Sequence, residues 1–106
     1  MEGLPEEYET AESGPSVLGE LYGVIQERQR DMPQESYTTK LLEEGVARIA
    51  QKVIEEAGET AIAGVQGNLE GLPDEVADLM YHTLVLMAAT GVKPQQVWDV
   101  LRERRR

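Results

Sequence analysis

The sequence lacks or is poor in several features, and each absence excludes a class of protein. Its 106 residues include no cysteine, so the chain can form neither disulfide bonds nor thiolate zinc sites. Only 10 Lys and Arg stand against 20 Asp and Glu, whereas a nucleic-acid-binding surface needs basic density. No run of about 18 apolar residues is present, and no basic-then-apolar leader opens the chain. We therefore expect a cytoplasmic protein that binds neither nucleic acid nor membrane.

The length of the chain indicates one domain with a thin core. Residues 1–15 are acidic, contain no Lys or Arg, and include two prolines and two glycines. This composition is typical of a disordered arm. We expect the arm to be followed by a single domain over residues 16–106.

Helical periodicity dominates that domain, and no strand-like alternation stands out. The pattern predicts about four helices: residues 17–30, residues 38–66 with a bend at Gly45, residues 73–89, and a last helix from Pro94. At about 1.5 Å per residue, the second helix would be about 43 Å long. It has apolar residues on more than one side, which a chain this small cannot cover alone. We therefore expect an all-α fold, a small helical bundle that is completed by homodimerisation.

Two pairs of carboxylates, Glu56 with Glu59 and Glu75 with Asp78, are the most informative feature of the sequence. In each pair the residues are three apart, so on a helix both side chains point the same way. Like charges placed in this way repel unless a cation lies between them. Mg²⁺ prefers oxygen ligands and is usually held by carboxylates together with phosphates, so we propose Mg²⁺, with Mn²⁺ as a substitute. The alternative is that both acidic faces are simply solvated.

The apolar stripes of the helices decide whether these acids face inward. The second predicted helix has its stripe about 60° from the first acidic pair, and the third has its stripe beside the second pair and His82. The predicted inward residues are Val46, Ala50, Val53, Ala57, Ala61 and Gly64 in the second helix, Leu72, Val76, Leu79, Leu86 and Met87 in the third, and Val97, Trp98 and Leu101 in the last. If the helices pack by these stripes, the four carboxylates converge at the edge of the core.

Basic and hydroxyl side chains near the acidic pairs are candidates for phosphate binding. Tyr37, Thr38 and Lys40 precede the long helix, and a lysine can meet a phosphate as a point charge. The alternative for this segment is an N-cap at Ser36 or Thr38 followed by a surface lysine. Lys52 lies four residues before Glu56, so it either contacts phosphate or forms a local ion pair.

Four segments resemble the phosphoribosyl-ATP pyrophosphohydrolases of histidine biosynthesis: SYTTKLL at 36–42, IAQKVIEEAGE at 49–59, EVADLMYH at 75–82 and LVLM at 84–87. The resemblance covers roughly residues 17–104. The carboxylate pattern is shared with the wider MazG-like superfamily of all-α nucleoside triphosphate pyrophosphatases, whereas the first segment and Tyr81-His82 point to the histidine branch. Ile54 and Gly58 depart from the usual pattern without removing a carboxylate.

The resemblance implies an enzyme that hydrolyses phosphoribosyl-ATP between its α and β phosphates, giving phosphoribosyl-AMP and pyrophosphate. It places the metal on Glu56, Glu59, Glu75 and Asp78. Glu55 and Glu56 are the catalytic candidates, with Glu55 holding or deprotonating the attacking water. Substrate contacts are expected from Tyr37, Thr38, Lys40, Lys52 and His82. We also expect a stand-alone enzyme, without the cyclohydrolase domain to which this activity is often fused.

Two other functions remain open at this point. A housekeeping pyrophosphatase for non-canonical nucleoside triphosphates would use the same carboxylate frame. A non-enzymatic helical interaction module would use the acids only as a solvated face.

Overall fold

The computed structural model describes residues 14–105, which form five α-helices and no strand. The helices are α1 (Ser16–Asp31), α2 (Tyr37–Glu44), α3 (Val46–Val65), α4 (Leu72–Thr90) and α5 (Pro94–Glu103). The predicted all-α class is confirmed. The predicted arm lies outside the described residues, apart from Gly14 and Pro15, which are exposed. Among the residues described, no helix is long and apolar enough to cross a membrane.

Gly45 divides the predicted long helix in two: where a bend was expected within a helix over residues 38–66, α2 ends and α3 begins. Its φ of 95° and ψ of 171° are a backbone conformation that side-chain-bearing residues rarely adopt. The Gly45 N–H closes α2 by donating to the Leu41 carbonyl, and the Gly45 carbonyl opens α3 by accepting from the Ile49 N–H. As a result α3 is about 30 Å long rather than 43 Å. Ser36 caps α2, as the alternative for this segment expected, because its Oγ accepts from the Thr39 N–H at 3.2 Å.

The core lies between the first four helices. α3 packs along α4, α1 crosses α4, and α2 contacts each of these helices. Two hydrogen bonds tie α1 to the C-terminal end of α4: Tyr22 Oη donates to the Val92 carbonyl at 2.9 Å, and Gln29 Nε2 donates to the Ala88 carbonyl at 3.1 Å. The buried core residues are Leu21, Tyr22, Ile25, Leu41, Ile49, Tyr81, Leu84, Val85 and Ala88.

The buried face of α3 differs from the predicted stripe. Ile49, Glu56 and Ala63 are its buried residues, spaced seven apart. The predicted stripe is displaced from them by one residue, or about 100° around the helix, and its members Val46, Ala57, Ala61 and Gly64 are exposed. A stripe built mainly of Ala and Gly has little apolar area to bury, so it does not by itself fix the rotation of the helix.

The faces of α4 and α5 also depart from prediction. On α4 the buried residues are Tyr81, His82, Leu84, Val85 and Ala88, whereas the predicted stripe is only half-buried. Within the described part of the chain, α5 buries no side chain: Trp98 is 38% exposed and Leu101 59% exposed. The prediction that these two residues face inward is therefore wrong for a single copy of the chain.

Candidate active site

Three of the predicted carboxylates meet where α3 packs along α4. Glu56 comes from α3, and Glu75 and Asp78 come from the first half of α4; each offers a carboxylate oxygen within 4.8 Å of the others. We call these three residues the carboxylate cluster. Glu56 is only 5% exposed, and Glu75 and Asp78 are half-buried. The acids therefore lie at the edge of the core, rather than on a solvated face.

Electrostatics within the carboxylate cluster oppose full ionisation. Burial raises the pKa of Glu75, and the charges of Glu59, Asp78 and Glu56 raise it further. Burial also raises the pKa of Asp78, with Glu56 as the next contributor. Both shifts disfavour the charged form, so a bound cation would relieve them.

Glu59, the fourth predicted metal ligand, lies beside the carboxylate cluster and is exposed. Its charge is the largest of the neighbouring charges that raise the pKa of Glu75. It is not one of the three residues whose oxygens lie within 4.8 Å of one another. The structure thus brings Glu59 to Glu75 but leaves it at the margin.

Lys52 joins the carboxylate cluster to the outer surface of α3. Its Nζ lies 3.5 Å from Glu55 Oε1 and 3.5 Å from Glu56 Oε2. Burial lowers the pKa of Lys52, but nearby Tyr37, Glu56 and Glu55 outweigh it, and the net pKa is raised. Lys52 therefore stays protonated beside the buried Glu56.

Glu55, the other catalytic candidate, points to a different set of partners. Its carboxylate accepts from Gln51 Nε2 at 3.2 Å and lies 4.0 Å from Arg48 Nη1, besides its contact with Lys52. Glu55 is exposed and stands outside the carboxylate cluster. It is connected to Glu56 through Lys52.

His82 is fully buried and links α2 to the carboxylate cluster. Its Nδ1 lies 2.7 Å from the Asp78 carbonyl, which can only accept, so Nδ1 carries the proton. In the neutral imidazole Nε2 is then the acceptor, and Tyr37 Oη donates to it at 3.1 Å. The Tyr37 ring stands edge-on to the imidazole, with centroids 5.9 Å apart. Tyr37 and His82 therefore form one unit.

The remaining predicted substrate contacts, Thr38 and Lys40, have different surroundings. Thr38 is 1% exposed, and its Oγ1 hydrogen-bonds Tyr81 Oη. Burial raises the pKa of Tyr81 to about 12, so the phenol stays protonated for that bond. A substrate could reach the Thr38 hydroxyl only if α2 moved. Lys40 is exposed, one turn of α2 beyond Tyr37.

Thr60 is a residue at the site that the sequence analysis missed. Its Oγ1 lies 2.7 Å from the Glu56 carbonyl on α3 and 3.1 Å from the Glu75 carbonyl on α4. The available signal was its position four residues after Glu56, on the same face of α3. The partner carbonyl on α4 could not be found from sequence periodicity.

An all-helical domain whose central helices share such a group of carboxylates is typical of the helical nucleotide pyrophosphohydrolases. More particularly, the chain belongs to the phosphoribosyl-ATP pyrophosphohydrolase family, whose profile matches residues 18–105.

The names of individual relatives are consistent with this family assignment. The chain is 47% identical over 89 residues to the phosphoribosyl-ATP pyrophosphatase of Azospirillum brasilense, covering 84% of this chain and 80% of that one. It is also 47% identical over 89 residues to the phosphoribosyl-ATP pyrophosphatase of Sulfurisphaera tokodaii, covering 84% and 95%. With the histidine biosynthesis bifunctional protein HisIE of Xylella fastidiosa it shares 52% identity over 89 residues, which are 84% of this chain and 43% of that protein.

Proposed function

We propose that this protein hydrolyses phosphoribosyl-ATP between the α and β phosphates, giving phosphoribosyl-AMP and pyrophosphate in the second step of histidine biosynthesis. The observation that carries the proposal is the convergence of Glu56, Glu75 and Asp78 from two helices within 4.8 Å. Three carboxylates at the edge of a core suit a cation that in turn binds a triphosphate. The choice of phosphoribosyl-ATP as the substrate rests on the family to which the chain belongs.

The donor set of the carboxylate cluster fits a hard divalent cation. All three ligand groups are oxygens, and the raised pKa values of Glu75 and Asp78 support a site that is stabilised by added positive charge. We propose Mg²⁺ as the natural ion and Mn²⁺ as a substitute. When bound, the ion would neutralise charge on the phosphate oxygens and make a bound water more acidic. Glu59 would join as a fourth ligand by rotating from its place beside Glu75.

The residues around the carboxylate cluster have separate proposed tasks. Lys52, held charged next to Glu56, contacts a substrate phosphate. Glu55 holds or deprotonates the attacking water, with Glu56 as the alternative base. Lys40 and the Tyr37–His82 unit contact the part of the substrate beyond the triphosphate.

Turnover of a substrate panel tests the function directly. With excess Mg²⁺, we expect phosphoribosyl-ATP to be hydrolysed far faster than ATP or any dNTP, with phosphoribosyl-AMP and pyrophosphate as products. Lys40→Ala should lower turnover of phosphoribosyl-ATP and leave Mg²⁺ binding intact, whereas Arg30→Ala, at the far end of α1, should change neither. Comparable rates on phosphoribosyl-ATP and on a dNTP would replace this function with the housekeeping one.

We also propose that the protein is a homodimer. A groove between α1, α4 and α5 exposes a continuous apolar surface to solvent. α5, which forms one side of this groove, has no buried side chain of its own. A second copy would cover the groove and bury α5. The apolar side chains that line the groove are Leu18, Leu79, Met80, Leu84, Met87, Val97 and Trp98.

Light scattering at micromolar concentration tests the dimer and its surface together. Trp98→Glu, which places a charge on α5 within the groove, should give a monomer. Val65→Glu makes the same kind of change at the exposed end of α3 and should leave the dimer intact. A monomeric wild type would refute the proposed dimer. If Val65→Glu dissociates the dimer and the variant on α5 does not, the groove is not the dimer interface.

A further inference from the structure

We propose that Thr60 is a positioning residue, whose hydroxyl sets the separation of α3 and α4 at the carboxylate cluster. The proposal rests on the metal site of the proposed function. It assigns to Thr60 no contact with substrate or metal. Its effect would be felt through the backbones that carry Glu56 and Glu75.

The geometry places one hydroxyl against both helices at the level of the site. Thr60 Oγ1 is 2.7 Å from the carbonyl oxygen of Glu56 and 3.1 Å from that of Glu75. The two acceptors belong to two members of the carboxylate cluster, one on each helix. A hydroxyl has one proton, so it is shared between these carbonyls or alternates between them. Either arrangement holds the two backbones at one separation.

Other threonines of the chain show how a threonine without this role behaves. A helical threonine commonly donates to the carbonyl four residues earlier. Thr83 does so on α4, where its Oγ1 lies 2.8 Å from the Leu79 carbonyl, and it is half-buried like Thr60. Thr60 makes the same bond and adds the contact across the helix interface. Thr83 is therefore a matched control for burial, residue type and local hydrogen bonding.

The separation of α3 and α4 matters because Mg²⁺ tolerates little variation in the distances and angles of its ligand oxygens. It demands near-octahedral geometry with oxygens at about 2.0–2.1 Å, whereas Ca²⁺ accepts flexible geometry at about 2.3–2.6 Å. If α3 and α4 separate slightly, Glu56 and Glu75 can still hold the larger ion. Loss of the Thr60 hydroxyl should therefore reduce Mg²⁺ affinity more than Ca²⁺ affinity. A purely structural threonine would affect both ions alike or neither.

Calorimetric titration of the full chain with Mg²⁺ alone and with Ca²⁺ alone tests this. Thr60→Val keeps the shape and removes the hydroxyl, and we expect about a tenfold loss of Mg²⁺ affinity, at the lower end of what outer contacts of metal ligands contribute. We expect a smaller loss for Ca²⁺, recovery of both in Thr60→Ser, and no change in Thr83→Val. Urea unfolding in EDTA establishes that each variant is folded, and Thr60→Ala replaces Thr60→Val if the latter is not.

The outcomes separate this proposal from the one on which it rests. If Thr60→Val binds Mg²⁺ and Ca²⁺ as tightly as the wild type does, the positioning role alone is overturned. The same holds if Thr60→Val loses equal affinity for the two ions, or if Thr60→Ser does not restore their binding. A wild-type protein that binds neither ion would overturn the metal site itself, and this proposal with it.

Discussion

Neutralising Asp78 should inactivate the enzyme and stabilise its metal-free fold. In the metal-free protein Asp78→Asn removes one of three carboxylates whose oxygens lie within 4.8 Å of one another. At that distance, two unit charges such as those of Asp78 and Glu56 repel by about 1 kcal/mol in water and about 3 kcal/mol at an effective dielectric constant of about 20. Asp78 is half-buried and solvent screens its charge, so we expect a gain in the free energy of unfolding near the lower value, about 1 kcal/mol. For a domain of this size that raises Tm by about 4–8 °C.

Equilibrium urea unfolding in EDTA, at one protein concentration because dimer dissociation contributes, measures this gain. Glu27→Gln is the control: Glu27 is exposed on α1 and, unlike Asp74, is not one of the charges that raise the pKa of Asp78, so its loss should leave the free energy of unfolding nearly unchanged. With excess Mg²⁺ the wild type should gain stability that Asp78→Asn does not, and the variant should have no turnover. If Asp78→Asn gains no more stability than Glu27→Gln in EDTA, the carboxylates do not repel as argued. If Asp78→Asn retains turnover, the metal assignment is wrong.

Three further predictions concern stability. Gly58→Ala should raise the free energy of unfolding by about 1 kcal/mol, because Gly58 is exposed within α3 and nothing lies within 4 Å of the added methyl; Gly45→Ala, at a φ of 95°, should lower it. Raised folded-state pKa values at Glu75 and Asp78 make the metal-free fold bind protons more tightly than the unfolded chain, so its stability should fall as pH rises from about 4 to 7. A flat urea-unfolding profile over that range would contradict this, and Mg²⁺ should remove the fall. Deleting residues 1–14 should leave Tm and turnover unchanged, since this acidic segment has few apolar groups, and a large loss of activity would contradict that.

Apart from the break at Gly45, the helices could be predicted from the sequence, and so could the pairing of Glu75 with Asp78, because both depend on local spacing. The i, i+3 separation of Glu75 and Asp78 fixes their common direction whatever packs against them. The rotation of α3 could not be predicted in the same way. Its pattern of small and apolar residues allows more than one inward face, and the choice depends on what α4 presents. That choice buries Glu56 and exposes Ala57.

Contacts between distant segments were the least predictable part of the site. The Tyr37–His82 hydrogen bond joins residues 45 positions apart, and the Thr60 contact uses a backbone carbonyl of α4. Side-chain periodicity contains no information about carbonyls, which every residue possesses. The Gly45 break was foreseen only as a bend, because composition does not reveal the value of φ that a glycine adopts.

The burial of Glu56 connects the site to the proposed dimer. Turning Glu56 inward gives up, at the centre of α3, a core position that an apolar side chain would otherwise occupy, and the ion pair with Lys52 offsets only part of the desolvation of a carboxylate. The same rotation leaves Ile54 and Ile62 of α3 exposed, so the chain loses apolar burial on that helix too. A domain of this size has little stability to spare. Covering the apolar groove beside α5 with a second copy would restore burial on a different face of α4 from the carboxylate cluster.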